Sequence, residues 1–269
     1  MEPRPLKRIV LALVWLACVA PPVMAAQAAL TPEQIMQRNL LSNKVADSTT
    51  NSTFRLINAS GQQRVRETEG ETKLIGGTTD NQRLVNFLSP ADVRGTKTLL
   101  IEHSAADDDI WIYLPAMKKV RRLVSSNKKD SFVGTDFSYG DVIGHKVEEW
   151  NHRLLREEQV DGRQCYVIES TPRHPEVADN SGYSRRIGWI DKESFVAVRG
   201  EIYDLTGQLL KKTTAEDVQR VDPANDRYQP MRLTAENVQT GHKTVIEFSH
   251  FRANVGVTDA LFTARALEN

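Results

Sequence analysis

DIWIYLPAMKKVRRLVSSNKKDSFVGTDFSYGD, residues 109–141, opens with a strand pattern and closes with a polar segment that carries aromatic rings. Trp111 and Tyr113 alternate with Ile110, Ile112 and Leu114, the period of two that sends successive side chains to opposite faces of a strand. Pro115-Ala116 turns the chain, and Lys118 to Val124 return with four basic side chains, Lys118, Lys119, Arg121 and Arg122. Beyond them, Phe132, Phe137 and Tyr139 are spaced through a stretch rich in Ser, Asp and Gly. Rings in such a stretch need an apolar surface, so part of it packs inward, either to plug the core of a small barrel or to face a ligand.

Working outward, the same hairpin grammar recurs. Phe54 to Ile57 run into Asn58-Ala59-Ser60-Gly61 before Gln63 to Thr68 return. Asp161-Gly162 joins Leu154–Val160 to Gln164–Thr171, and Thr206-Gly207 joins Val196–Tyr203 to Leu209–Val218. Further strand candidates are 83–88, 96–102, 183–190, 231–238 and 245–251, giving eleven to thirteen in all. No long amphipathic helices alternate with them, which excludes a parallel α/β fold and points to a strongly curved antiparallel sheet or open barrel. One helix is expected near the start, with Thr31 as N-cap, Pro32 in the first turn, and Ile35, Met36, Leu40 and Leu41 near one face.

Ahead of that helix, Arg4, Lys7 and Arg8 precede an apolar run from Ile9 to Ala20 and then small residues. This pattern predicts a secretory signal peptide over residues 1–28, with cleavage after Ala25 or Ala28, and a single domain over 29–269 in the periplasm. Cys18 follows Trp15-Leu16-Ala17, which only superficially resembles a lipobox, so an outer-membrane lipoprotein is the lesser reading. Cys165 is then the one cysteine left, and an intramolecular disulfide is excluded. The 35 basic and 35 acidic residues balance, and loss of the signal leaves a slightly acidic chain with no electrostatic footprint for nucleic acid.

Chemistry-bearing motifs are sparse. His103 with Asp107, Asp108 and Asp109 reads as a solvated turn, since its spacing matches neither an EF-hand loop nor a zinc signature. The other histidines, His145, His152, His174, His242 and His250, show no close ligand pair. Neither a Gly-x-Ser-x-Gly elbow nor a Walker-type loop occurs. Cys165 lies within a strand pattern and reads as a buried structural thiol. No cofactor, metal or catalytic residue is expected, and the protein reads as a non-enzyme.

The 109–141 stretch resembles the signature of the LolA-like family of outer membrane lipoprotein-sorting proteins. The resemblance continues through Cys165-Tyr166-Val167-Ile168-Glu169-Ser170, Tyr183-Ser184-Arg185-Arg186, Trp189-Ile190-Asp191, Tyr203-Asp204 and Thr240-Gly241-His242-Lys243-Thr244, and ends at Leu261-Phe262 before Leu267. It implies a mainly β fold: an unclosed, highly curved antiparallel barrel of about eleven strands, related to LolA, LolB and the N-terminal domain of RseB, whose concave apolar face is covered by an N-terminal helix and loops. It further implies a periplasmic carrier that binds lipid or lipoprotein acyl chains, for transfer toward an outer-membrane acceptor or beside an inner-membrane exporter of the RND type. An RseB-like lipid sensor is the alternative, and a lipid-modifying enzyme acting through Asp107 to Asp109 a more distant one. The family's lipoprotein members carry a clear lipobox; this chain departs from them at Trp15.

On this reading the ligand-binding candidates are Ile110, Ile112, Leu114, Trp111, Tyr113, Met117, Phe132, Phe137 and Tyr139. Alternation lets only one face of 110–114 line a cavity. A narrow concave face favours Ile110, Ile112 and Leu114 over the bulky Trp111 and Tyr113. Lys119 and Arg121 share one face of the next strand and are expected at the cavity rim, where they would receive an anionic head group; otherwise they guard a solvated edge. The segment 125–139 and the helix 32–41 are the candidate lids.

Overall fold

The computed structural model describes residues 29–268; the signal segment assigned to 1–28, with its cleavage region and Cys18, lies outside them. The Thr31 hydroxyl accepts from the Gln34 amide at 3.2 Å while Gln34 Oε1 accepts from the Thr31 amide at 2.9 Å, a reciprocal cap that starts helix α1 (Pro32–Leu41) where the sequence places it. Ile35 and Met36 are the buried side chains of α1.

The strands follow as β1 (Asp47–Ile57), β2 (Gln63–Leu74), β3 (Asn81–Ser89), β4 (Lys97–Ile101), β5 (Asp109–Leu114) and β6 (Lys119–Leu123). After the short helix α2 (Tyr139–Ile143) come β7 (Trp150–Val160), β8 (Arg163–Pro172), helix α3 (Pro175–Ser181), β9 (Arg185–Asp191), β10 (Ala197–Tyr203), β11 (Leu209–Asp222), β12 (Arg227–Asn237) and β13 (His242–Ala253). All thirteen strands form one antiparallel sheet in the order β6-β5-β4-β3-β2-β1-β13-β12-β11-β10-β9-β8-β7. That is the upper end of the count made from the residues and two more than the resemblance implies. Asp161 and Gly162 both have positive φ, +48° and +81°, as a two-residue hairpin turn requires.

This order makes β1 and β13 central partners and leaves β6 and β7 as the two unpaired edges, so the barrel is open. Those edges are consecutive in the chain. The linker between them, residues 124–149, therefore has to travel from one edge of the sheet to the other, and it does so across one face. Its Phe132, Tyr139 and Ile143 pack with Phe54, Leu56, Phe87, Leu100, Ile110 and Ile246 in one apolar cluster. The opposite face of the same arm is covered by the C-terminal tail. There Val257, Phe262 and Leu267 pack on Leu84 and Leu99, with Trp111, Tyr113 and Val120 against them.

Candidate functional site

On the linker side of the sheet, a cavity of about 450 Å³ lies between α1, residues 42–45, α2 and the central strands. This is within the size range of small-molecule sites, roughly 300–1,000 Å³. Its floor is a patch of small side chains in cross-strand register, with Ser48 opposite Thr72, Thr50 opposite Gly70 and Ser52 opposite Thr68. Part of its wall is apolar, from Phe54, Ile246 and Phe248 of the sheet, Phe132, Phe137 and Ile143 of the linker, and Met36 and Leu40 of α1, and part is charged, from Lys44, Arg83, Glu102 and Arg186. The concave face is thus not apolar throughout, as the resemblance implies. Small side chains leave the volume; Ser48 Oγ lies 2.6 Å from Thr72 Oγ1, and the Thr50 and Thr68 hydroxyls donate to backbone carbonyls, Thr50 to Ser249 O and Thr68 to Ser52 O.

Two covers close the cavity. Helix α1 is tied to the sheet from several sides: Asn39 Nδ2 donates to Phe195 O at 2.8 Å, the Tyr228 amide donates to Ser42 O at 2.7 Å, and Arg38 lies over the Phe195 ring at 5.0 Å. The linker is tied down by polar groups. The Lys211 ammonium donates to Asp141 at 2.6 Å and to the Asp136 carbonyl at 3.0 Å. Tyr183 OH also donates to Asp141 at 3.0 Å, while Asp136 holds His242 Nδ1 at 2.6 Å and accepts from Thr244 Oγ1 at 2.7 Å. Tyr183, His242 and Thr244 all stand in stretches that carry the family resemblance, and here they anchor the linker.

Burial alone would raise the Asp141 carboxyl, but the Lys211 ammonium and His145 hold it well below the usual carboxylate range. Burial alone would lower Lys211, and Asp141 drives it above its ordinary value instead, so this pair stays ionised. Beside them, burial and the charge of Arg186 push His145 down to about 4, leaving a neutral ring. Near Gly144, the residue before His145, the Lys44 ammonium pairs with Glu102 and donates to Thr79 O at 2.7 Å.

The sequence-derived candidates are divided by this geometry. Phe132 and Phe137 line the cavity. Ile110 and Tyr139 pack into the same apolar cluster, Tyr139 meeting Phe132 edge-on with ring centroids 5.4 Å apart. Ile112 and Leu114 share the Ile110 face, opposite Arg121 and Lys119 of β6, but neither they nor Ile110 reaches the cavity. Trp111 and Tyr113 lie on the other face under the C-terminal tail. Met117 is exposed in the β5–β6 turn, and Lys119 and Arg121 are exposed on the edge strand, away from the cavity lining. The aromatic linker fills the arm where β5 and β6 lie, which displaces the open volume to β1 and β2. The residues that sequence reasoning passed over are the small ones of the floor, together with Arg83, Arg186 and His145.

His103 and its aspartates lie in the β4–β5 connection, but the turn is not solvated throughout as expected: Asp108 is buried and Asp109 begins β5. His103 Nε2 lies 3.1 Å from Asp109, which also pairs with Arg122, while Asp108 accepts from Lys128 at 2.5 Å. Among the described residues no cluster of three or more His, Cys, Asp or Glu is placed to hold a metal ion. Cys165 is buried and unpaired, and burial pushes its thiol up.

The fold and the cavity can be set beside known proteins. A family model described as "Uncharacterized protein" matches residues 79–269. The chain resembles a DUF1329 family protein from Desulfovibrio piger at 31% identity, over 88% of this chain and 97% of that one, with a TM-score of 0.80. It is similar to a domain assigned as an outer membrane lipoprotein-sorting protein from Vibrio parahaemolyticus, at 28% identity over 88% and 98% of the two chains and a TM-score of 0.80. A LolA superfamily protein from Nitrosomonas europaea shares the fold, at 21% identity over 87% and 98% and a TM-score of 0.66. The chain belongs to the DUF1329 family and shares its fold with the LolA superfamily protein. No curated protein matches it at a significant level.

Proposed function

We propose that this protein is a periplasmic carrier that takes up the acyl chain of a lipid or lipoprotein in its cavity and hands it on, toward an outer-membrane acceptor or beside an inner-membrane exporter of the RND type. The observation that carries the reading is the covered cavity of about 450 Å³, whose wall is apolar in part, from both the sheet and the linker. An acyl chain in water costs about 0.8 kcal/mol per CH₂ relative to an apolar environment, so a long chain does not cross an aqueous gap unaided. A cavity removes that cost without covalent chemistry, and release needs only a cover that moves. Export by the segment at residues 1–28 would place the chain where such a task arises. The assignment of the Vibrio relative to lipoprotein sorting supports the same class of cargo. Among the described residues no helix is long and apolar enough to cross a membrane.

The test is native mass spectrometry of the protein expressed with export, followed by organic extraction of whatever co-purifies. A stoichiometric acyl lipid is the expected result. An empty protein that also takes up no added lipid would remove the carrier reading.

A further inference from the structure

Arg83 of β3 and Arg186 of β9 come from opposite arms of the sheet, and both line the cavity. Both border the α2 end of the linker. Arg83 Nη1 donates to the Val142 carbonyl, and the charge of Arg186 acts on Asp141 and on His145, which it helps to keep neutral. Among the described residues neither guanidinium has a carboxylate within 4.0 Å, and the Arg186 side chain makes no hydrogen bond to protein. Its one direct partner is the Trp150 ring, 4.6 Å beneath it, which leaves the rim of N–H donors free. Of the three carboxylates that line the cavity, Glu102 is engaged with Lys44 and Asp141 with Lys211, while burial and the neighbouring Glu69 push the Glu71 carboxyl up, toward its neutral form.

Burial pushes both guanidiniums down from their ordinary value, yet an arginine stays charged in a protein. Both side chains are partly buried, and a partly buried charge without a paired anion is costly. Both arginines also line the cavity. A guanidinium presents a planar fork of donors that matches carboxylate and phosphate oxygens.

We infer that Arg83 and Arg186 form an internal anion site, so that the cavity takes a single-chain amphiphile with a carboxylate or phosphate head drawn inside against α2 and its tail along the Phe54, Ile246 and Phe248 wall. This rests on the acyl-binding reading above and names the class of cargo. It moves the head group away from the Lys119 and Arg121 rim to the interior of the sheet. Because Arg83 also holds the Val142 carbonyl, an anion at this site would compete for the group that fastens α2, coupling occupancy to the cover.

The experiment is isothermal titration of the exported, delipidated protein with three probes of equal chain length: myristate, monotetradecyl phosphate and tetradecanol. The unsubstituted protein should hold at least one of the two anions about tenfold more tightly than the alcohol, the scale of a charge-assisted hydrogen bond. Which anion wins identifies the head group. Arg186→Gln should remove the preference, bringing the affinity for that anion to that for the alcohol in the same variant, while Arg186→Lys should keep part of the preference. Equal affinity of the unsubstituted protein for all three probes overturns the anion site and leaves the carrier reading standing. No binding of any probe overturns both. Should Arg186→Gln fail to fold, the preference measured on the unsubstituted protein still decides.

Discussion

Strands β1 and β2 run side by side along their whole length, yet their two ends are packed in opposite ways. At the Phe54 end a ladder of rings rises from the sheet into the linker, Phe54 to Phe87 at 6.0 Å, Phe87 to Phe132 at 6.2 Å and Phe132 to Tyr139 at 5.4 Å. At the Ser48 end the same face carries Ser48, Thr50 and Ser52 against Thr72, Gly70 and Thr68, and the space above them is open. Both ends are covered, one by the linker and the other by α1. The cavity therefore comes from side-chain volume, since interiors pack to near-crystalline density wherever the side chains are large enough to meet. A plugged end fixes the linker and an open end holds the cargo.

The sharpest way to break that contrast is at the plug. Phe132 is 1% exposed and touches rings on both sides. Phe132→Ala should cost about 3–5 kcal/mol, the usual range for a buried Phe, and lower the unfolding midpoint accordingly. Thr50→Ala, at a position facing existing space, should change stability by less than about 1 kcal/mol. Denaturant unfolding of the two variants measures both. Comparable losses would mean that the two ends are packed alike.

A smaller effect is expected at the polar border of the open end, where His145 lies neutral beside Arg186. The folded ring titrates at about 4, against an ordinary value of 6.5 that the unfolded chain should show. Between those values the unfolded chain takes up the proton and the folded one does not. The stability that the neutral ring contributes is therefore complete above about pH 6.5 and is lost as the pH falls toward 4. Its size is on the order of 3 kcal/mol at most, from the free energy of a pKa unit. His145→Asn removes the titrating group, so the gap in thermal midpoint between variant and parent should change between pH 7 and pH 4.5. A constant gap would show that the ring is not held neutral.

The plugged end was far easier to see in the sequence than the open one. Thr31 and Pro32 announce α1, Asp161-Gly162 announces a hairpin, and the alternation of Ile110 with Trp111 separates the two faces of β5, all through local chemistry. Phe132, Phe137 and Tyr139 stand out because rings in a polar stretch demand a surface. The floor gives no such signal. Ser48, Thr49, Thr50, Asn51, Ser52 and Thr53 are polar at every position, so nothing marks alternate members as inward-facing until β2 and β13 are paired to them. Arg83 and Arg186 look like the solvated charges of any strand, and only the long-range order of the sheet brings β3 and β9 to the same helix. The Asp141–Lys211 contact spans 70 positions and was equally invisible.

The smallest stability effect, and the one that separates a binding site from a packing fault, is at Gly70. A Cβ built there would meet Leu84 O and Thr50 Cγ2 at 3.5 Å each, ordinary contact distances, so the backbone does not demand glycine on steric grounds. Glycine inside a strand costs roughly 0.5–1 kcal/mol relative to alanine through the freedom it loses on folding. Gly70→Ala should therefore stabilise the protein by about that much and leave lipid binding intact, because one methyl takes little of the volume. Gly70→Leu would extend into the cavity beside Thr50. If the open end is cargo space, the leucine variant should unfold at a similar midpoint to the alanine variant while retaining much less co-purified lipid. If it is only imperfect packing, the added side chain should raise stability further through apolar burial, and the amount of retained lipid should not change.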